Sequence, residues 1–168
     1  MEFIIDKAKK EDFDEIVKIY AQGIETGLST FQTKVPTYEE WDEGHIKECR
    51  LVARRSDKVL GWATLAKIFQ RPVYDGFLEL SLYIAEDARG KKVGQTLLNA
   101  LIEESEKHGI WSIQSLIIKE NTASIALHEK CGFRHVGCWE KAGKMSHDNL
   151  WYDVVLMERR STIIGTSK

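Results

Sequence analysis

The chain has 168 residues, roughly the length of one domain with one core, so a second domain has no room. Its 24 Lys and Arg against 26 Asp and Glu leave a formal charge of -2, an ordinary balance that argues against a polycationic nucleic-acid or membrane binder. Apolar residues make up 43%, which excludes disorder, and the longest stretch without a charge, the 11 residues His108 to Ile118, falls short of the ~18 of a spanning helix.

The opening Met1-Glu2-Phe3-Ile4-Ile5-Asp6 has neither the basic start nor the long apolar run of a signal peptide. A soluble, cytoplasmic protein is expected. Phe3-Ile4-Ile5 reads as a short strand, and Phe13, Ile16, Val17 and Tyr20 then recur at helical spacing. Gly23 and Gly27 loosen the end of that helix. Leu28 to Pro36 reads as a loop, because Pro36 disfavours helix just before it. Thr37-Tyr38-Glu39-Glu40 has the form of a capping box and should open a second helix toward Cys49.

Leu51-Val52-Ala53 and Val59 to Phe69 are β-like runs around the turn chemistry of Ser56-Asp57-Lys58, which predicts an antiparallel hairpin. Gln70 to Gly76 follows as a loop. From Phe77 to Ile84 the pattern alternates, with Leu78, Leu80 and Leu82 on one face and Glu79, Ser81 and Tyr83 on the other. Glu79 therefore belongs to a strand. Val93, Leu97, Leu98, Leu101 and Ile102 predict a helix over 92–107 that ends at His108-Gly109. Ile110 to Ile118 is the next strand, and Asn121 caps a short helix through Lys130. Phe133 to Glu140 and Trp151 to Met157 close the chain as strands around a polar loop, Ala142 to Asn149.

The order β-α-α-β-β-β-α-β-α-β-β predicts an α/β fold of the α+β type, a central sheet flanked by helices. It is not the strict alternation of a doubly wound dinucleotide fold. Residues 1–160 form one domain and 161–168 a tail. Cys49, Cys131 and Cys138 contain no Cys-x-x-Cys pair and read as small buried thiols, with no metal site. Trp62, Trp111 and Trp151 read as core.

Two segments carry chemistry. Arg89-Gly90-Lys91-Lys92-Val93-Gly94-Gln95 is a basic, glycine-containing turn that opens a helix, where exposed amides and the dipole favour an anion such as phosphate. It is not a P-loop. Downstream comes Asn121-Thr122-Ala123-Ser124, followed by Glu129-Lys130-Cys131-Gly132-Phe133. Arg89 to Gly94 resembles the Arg-x-x-Gly-x-[Gly/Ala] pyrophosphate loop of the GNAT acetyltransferases, and Asn121 to Phe133 is similar to their Asn-x-x-[Ser/Ala]…Glu-Lys-x-Gly-Phe segment. Ser29-Thr30-Phe31, Tyr38-Glu39-Glu40-Trp41, Leu60-Gly61-Trp62-Ala63, Arg71-Pro72-Val73-Tyr74, Leu127-His128-Glu129 and Trp151-Tyr152-Asp153-Val154 narrow the resemblance to the phosphinothricin N-acetyltransferase-like group. Two features depart from it. Lys92 stands where the loop usually has its middle Gly, and the segment from Lys144 to Trp151 is longer than the group's usual form.

The resemblance implies a mixed, mostly antiparallel sheet and a homodimer. It also implies transfer of acetyl from acetyl-CoA to the α-amino group of a small amino acid or analogue, such as phosphinothricin, methionine sulfoximine or methionine sulfone. Neither metal, nucleic acid nor membrane is expected as a partner. Glu79 is the candidate general base, since burial of a carboxylate in an apolar strand raises its pKa, and the resemblance also puts an acid there. The resemblance has the strands part near Leu82, Tyr83 and Ile84, whose amides would hold the thioester carbonyl. Arg89 to Gln95 would hold the pyrophosphate, and Asn121 and Ser124 the pantetheine, with Asn121 also a helix cap.

His128 stands where the departing thiolate would be protonated, and an unperturbed pKa of ~6.5 suits a proton relay. The other reading of His128 is a packed helix histidine. Arg71 is the candidate for the substrate carboxylate, through a bidentate guanidinium, with Thr30, Phe31, Gln70 and Tyr74 shaping the pocket. A polyamine or peptide N-terminus as acceptor, and a non-catalytic CoA-binding sensor, are the alternatives.

Overall fold

The structure is a computed structural model that describes residues 2–167. Lys168, the last residue of the expected tail, lies outside the described residues. The elements follow in the expected order: β1 (Ile4–Lys7), α1 (Phe13–Glu25), α2 (Tyr38–Gly44), β2 (Leu51–Arg55), β3 (Lys58–Lys67), β4 (Phe77–Ile84), α3 (Val93–Lys107), β5 (Ser112–Ile118), α4 (Thr122–Lys130), β6 (Arg134–Lys144) and β7 (Trp151–Arg160). The strands form one sheet in the order β1-β2-β3-β4-β5-β7-β6. All neighbours in it are antiparallel except β4 and β5. Among the described residues no helix is long and apolar enough to cross a membrane.

Local chemistry explains the elements that frame the site. The capping box opens α2 as expected: the Thr37 hydroxyl accepts from the Glu40 amide at 3.2 Å, and the Glu40 carboxylate accepts from the Thr37 amide at 2.8 Å. Asn121 caps α4 by accepting from the Ser124 amide at 3.2 Å. β6 runs four residues past its expected end. Its ladder with β7 shifts register between Trp139 and Gly143, with Lys141 at φ 49°, and that irregularity hides the strand behind a polar stretch.

The strand alternation assigns the layers. Ile84, of the Leu78 face, lies beside Gly94 at the start of α3, while the Tyr83 ring lies against Gly23 of α1. So α3 packs on one face of β4 and α1 on the other, with Val52, Ala53, Leu65, Leu97, Leu98 and Leu101 fully buried between layers. α4 joins the α3 side, because its His128 bonds Ser115, which alternates with Gln114, the partner of Glu79. On the Glu79 face, among the described residues, no helix covers β5, β7 and β6. Leu116 is 39% and Trp139 52% exposed.

Two expectations fail at this uncovered end. Trp151 is 58% exposed rather than core, because it pairs with Lys144 at the tip of the terminal hairpin, beyond the helices. Cys138 is exposed on the edge strand β6, while Cys49 and Cys131 are buried as expected.

β4 and β5 are locked together at one end only. The Gly76 carbonyl accepts from the amides of both Trp111 and Ser112 at 3.0 Å. The Trp111 ring covers Gly76 so closely that an added Cβ would lie 2.1 Å from it. We therefore expect Gly76→Ala to lower stability by about 1–3 kcal/mol, the usual cost of overpacking, read as a drop in the urea midpoint.

Candidate active site

Glu79 sits opposite Ala66 of β3 and opposite Gln114 of β5. It is half-buried, and among the described residues its carboxylate has no ion pair. Burial pushes its pKa up from the ordinary carboxylate value. Glu79 and Gln114 are also the last residues at which β4 and β5 pair: the ladder holds Phe77, Leu78 and Glu79 against Ser112, Ile113 and Gln114, and then stops. Both strands continue, β4 to Ile84 and β5 to Ile118, so a wedge opens between them. Alternate amides of the Leu82, Tyr83 and Ile84 stretch face that wedge without a strand partner.

At the far end of the wedge the chain turns through Arg89 to Gln95 into α3. The Thr96 amide makes the first helical bond, to the Lys92 carbonyl at 3.0 Å, so the amides of Val93, Gly94 and Gln95 have no partner within the helix. Gly94 packs close to Leu127 of α4, with 3.1 Å between that side chain and an added Cβ, whereas Gly90, at φ 71°, faces open space. Arg89, Lys91 and Lys92 are exposed around these amides. The stretch fits the phosphate end of a nucleotide cofactor: unpaired amides, a helix dipole and three cations. Lys92 lies in the left-handed region, at φ 63° and ψ 4°, which explains why the family prefers Gly at this position.

α4 borders the wedge on the β5 side. Besides capping α4, Asn121 donates its side-chain amide to the Leu28 carbonyl at 3.3 Å, which ties the helix to the α1–α2 loop. Ser124 is half-buried one turn on. His128 is 2% exposed, with Nδ1 2.7 Å from the Ser124 carbonyl and Nε2 2.9 Å from the Ser115 hydroxyl. A carbonyl can only accept, so Nδ1 carries the proton and Nε2 accepts from Ser115. Burial lowers the His128 pKa, which keeps the ring neutral. This is the arrangement of a packed histidine that fixes α4 on β5.

The residues expected to bind substrate fall into two groups along β4. Thr30 lies beside the phenol of Tyr83, and Phe31 covers Gly143 so closely that an added Cβ would lie 2.6 Å from its ring. At the other end Tyr74 packs with Phe69 and Phe77, at 4.7 and 6.2 Å between centroids. The Arg71 guanidinium lies 5.9 Å from the centre of the Tyr74 ring, and Gln70 is exposed beside it. Glu79 lies between the groups.

Some neighbours escape a sequence reading. Gln114 faces Glu79 only through the sheet register. His147 of the β6–β7 loop covers Gly27, where an added Cβ would lie 2.7 Å from the imidazole, so the long loop closes over the end of α1. Tyr20, Trp41 and Trp62 line a cavity next to Ser81 and Tyr83. The Trp-Tyr content of these segments is the only sequence signal for it.

The wedge, the unpaired amides at the start of α3 and a half-buried carboxylate at the point of parting are the kinds of group that acyl transfer to an amine calls for. The family model "Acetyltransferase (GNAT) family" matches residues 10–133, and the chain belongs to that family. It is 37% identical to a phosphinothricin N-acetyltransferase of Alcaligenes faecalis over 159 residues, 90% of this chain and 79% of that one. It is 34% identical over 101 residues to an L-methionine sulfoximine/L-methionine sulfone acetyltransferase of Pseudomonas aeruginosa, covering 60% of this chain and 58% of that one. Among solved structures, a phosphinothricin acetyltransferase from Sinorhizobium meliloti in complex with AcCoA superposes with a TM-score of 0.88 at 25% identity, covering 100% of this chain and 93% of that one.

Two stability effects follow. Lys92→Gly removes left-handed strain and should stabilise the fold by about 0.5–1 kcal/mol after Gly's larger unfolded entropy, read as a higher melting temperature. For Glu79 the native pKa is raised, so its favourable contribution is complete below the unfolded pKa and is lost as pH rises through the native one. Glu79→Gln should therefore melt above the wild type at pH 7, and the gap should close toward pH 4.

Proposed function

We propose that the chain transfers acetyl from acetyl-CoA to the α-amino group of a free amino acid or an analogue of the phosphinothricin, methionine sulfoximine or methionine sulfone type. The observation that carries this reading is Glu79: a half-buried carboxylate without an ion pair, at the point where β4 and β5 separate. Relatives named for such acceptors support it. Acetyl-CoA, when bound, supplies an acetyl group activated as a thioester.

The chain's own residues do the rest. Glu79 takes a proton from the substrate ammonium, directly or through one water, which frees the lone pair that attacks the carbonyl; the carbon–sulfur bond then breaks, and the thiolate leaves as a thiol with the second proton lost by the attacking nitrogen. Burial raises the pKa of Glu79, which makes it a stronger base than a carboxylate in open solvent. Amides of the Leu82–Ile84 stretch that face the wedge stabilise the carbonyl oxygen as charge builds on it. The amides at the start of α3, with Arg89, Lys91 and Lys92, hold the pyrophosphate. Arg71, exposed and without an ion pair among the described residues, receives the substrate carboxylate bidentately.

Thiol release from acetyl-CoA tests the reading across the twenty amino acids, phosphinothricin, methionine sulfoximine, methionine sulfone and spermidine. Glu79→Gln should lower turnover by about 10²–10⁴-fold and flatten the rise of kcat/KM with pH. Arg71→Ala should raise KM for the amino acid; an unchanged KM would point to a cationic acceptor instead. Turnover on none of the panel, with acetyl-CoA still raising the melting temperature, would favour a peptide acceptor or a sensor.

We also infer a homodimer in which a second copy covers the open face of β5, β7 and β6. Exposed Leu116 and Trp139 on that face, and the unpaired edge of β6, support it. Light scattering should give twice the chain mass, and Trp139→Glu should give the single-chain mass.

A further inference from the structure

We propose that the cavity beneath the α1–α2 loop receives the acceptor's side chain and selects aromatic amino acids. The proposal rests on the amino-acid reading above and adds the side-chain class to it. The cavity has a volume of about 480 Å³, in the range of small-molecule sites and large enough for an aromatic side chain. Ser81 and Tyr83 form its floor, and Val35 and Pro36 of the loop form its lid.

Its position along β4 gives the argument. Glu79, Ser81 and Tyr83 share one face, so Ser81 lies one strand repeat, ~7 Å, from Glu79 in one direction. Phe77 lies the same distance away in the other, packed with the Tyr74 ring over which Arg71 sits. An α-amino acid with its nitrogen at Glu79 and its carboxylate toward Arg71 sends its side chain the opposite way, over Ser81 and into the cavity.

The walls state what fits there. Tyr20 meets Tyr83 edge-on at 4.8 Å, Trp62 stacks on Tyr83 at 5.0 Å, and Trp41 meets Trp62 edge-on at 6.3 Å. A further ring gains offset or edge contacts with these beyond simple burial. Trp41 itself is 5% exposed and lines the cavity.

The test is kcat/KM for tyrosine, phenylalanine, alanine and methionine sulfone with the wild type and Val35→Trp. Val35 is 40% exposed on the loop, so its replacement fills the cavity mouth without disturbing the core. A melting shift with acetyl-CoA verifies that the variant is folded. The wild type should favour tyrosine and phenylalanine over alanine by about tenfold or more. Val35→Trp should raise KM for the aromatic acceptors and bring their ratio to alanine toward one. Turnover of methionine sulfone or alanine with no aromatic preference, or an equal loss on all acceptors in Val35→Trp, overturns the subsite and leaves the amino-acid reading standing. No turnover on any amino acid, with acetyl-CoA still bound, removes both.

Discussion

The site depends on a mismatch in strand pairing. β4 bonds β3 over seven residue pairs and β5 bonds β7 over seven, yet β4 and β5 bond each other over three. Each strand stays paired with its outer neighbour where the two part, and the Gly76 carbonyl pins them at the closed end. Backbone groups in the middle of a sheet are normally paired. Here they are left as a row of donors and acceptors along a cleft. The fold thus makes a binding surface out of main chain, which no side-chain substitution easily removes.

Asp12 and Glu79 show how the environment of a carboxylate sets its pKa. At Asp12 burial alone would raise the pKa, but the double hydrogen bond from Arg54, at 2.9 and 2.8 Å, and the Lys9 amide outweigh it and hold the group below its ordinary value. That pair staples the start of α1 to β2. At Glu79 burial acts with nothing to offset it, and the pKa moves the other way. The same residue class is held as a firm anion in one place and made more basic in the other.

Much of this was legible in the sequence because it is written in local chemistry. The alternation from Phe77 to Ile84 placed Glu79 in a strand and on the face opposite the leucines. The Thr37–Glu40 box and the Asn121 cap located helix starts. What stayed hidden depends on which strands are neighbours. The parting of β4 and β5, the approach of Gln114 to Glu79, the bare half-face around Leu116 and Trp139, and the edge and tip positions that expose Cys138 and Trp151 are properties of the assembled sheet. Composition misleads there, because a Trp on an edge hairpin reads like a Trp in a core. The sequence pattern of β6 breaks at Glu140 because a mid-strand irregularity resembles a loop. His128 was legible as important, but its two partners, one from β5 and one from its own helix, make it a fixture of packing.

The bond from Asn121 to the Leu28 carbonyl joins the cofactor-side helix to the segment that forms the lid of the acceptor cavity. Its acceptor is a main-chain oxygen, so the tether fixes the path of the loop and is indifferent to the side chains along it. A substitution at Leu28 therefore leaves this bond in place, while Thr30 and Phe31 further along the loop are held by their own contacts with Tyr83 and Gly143.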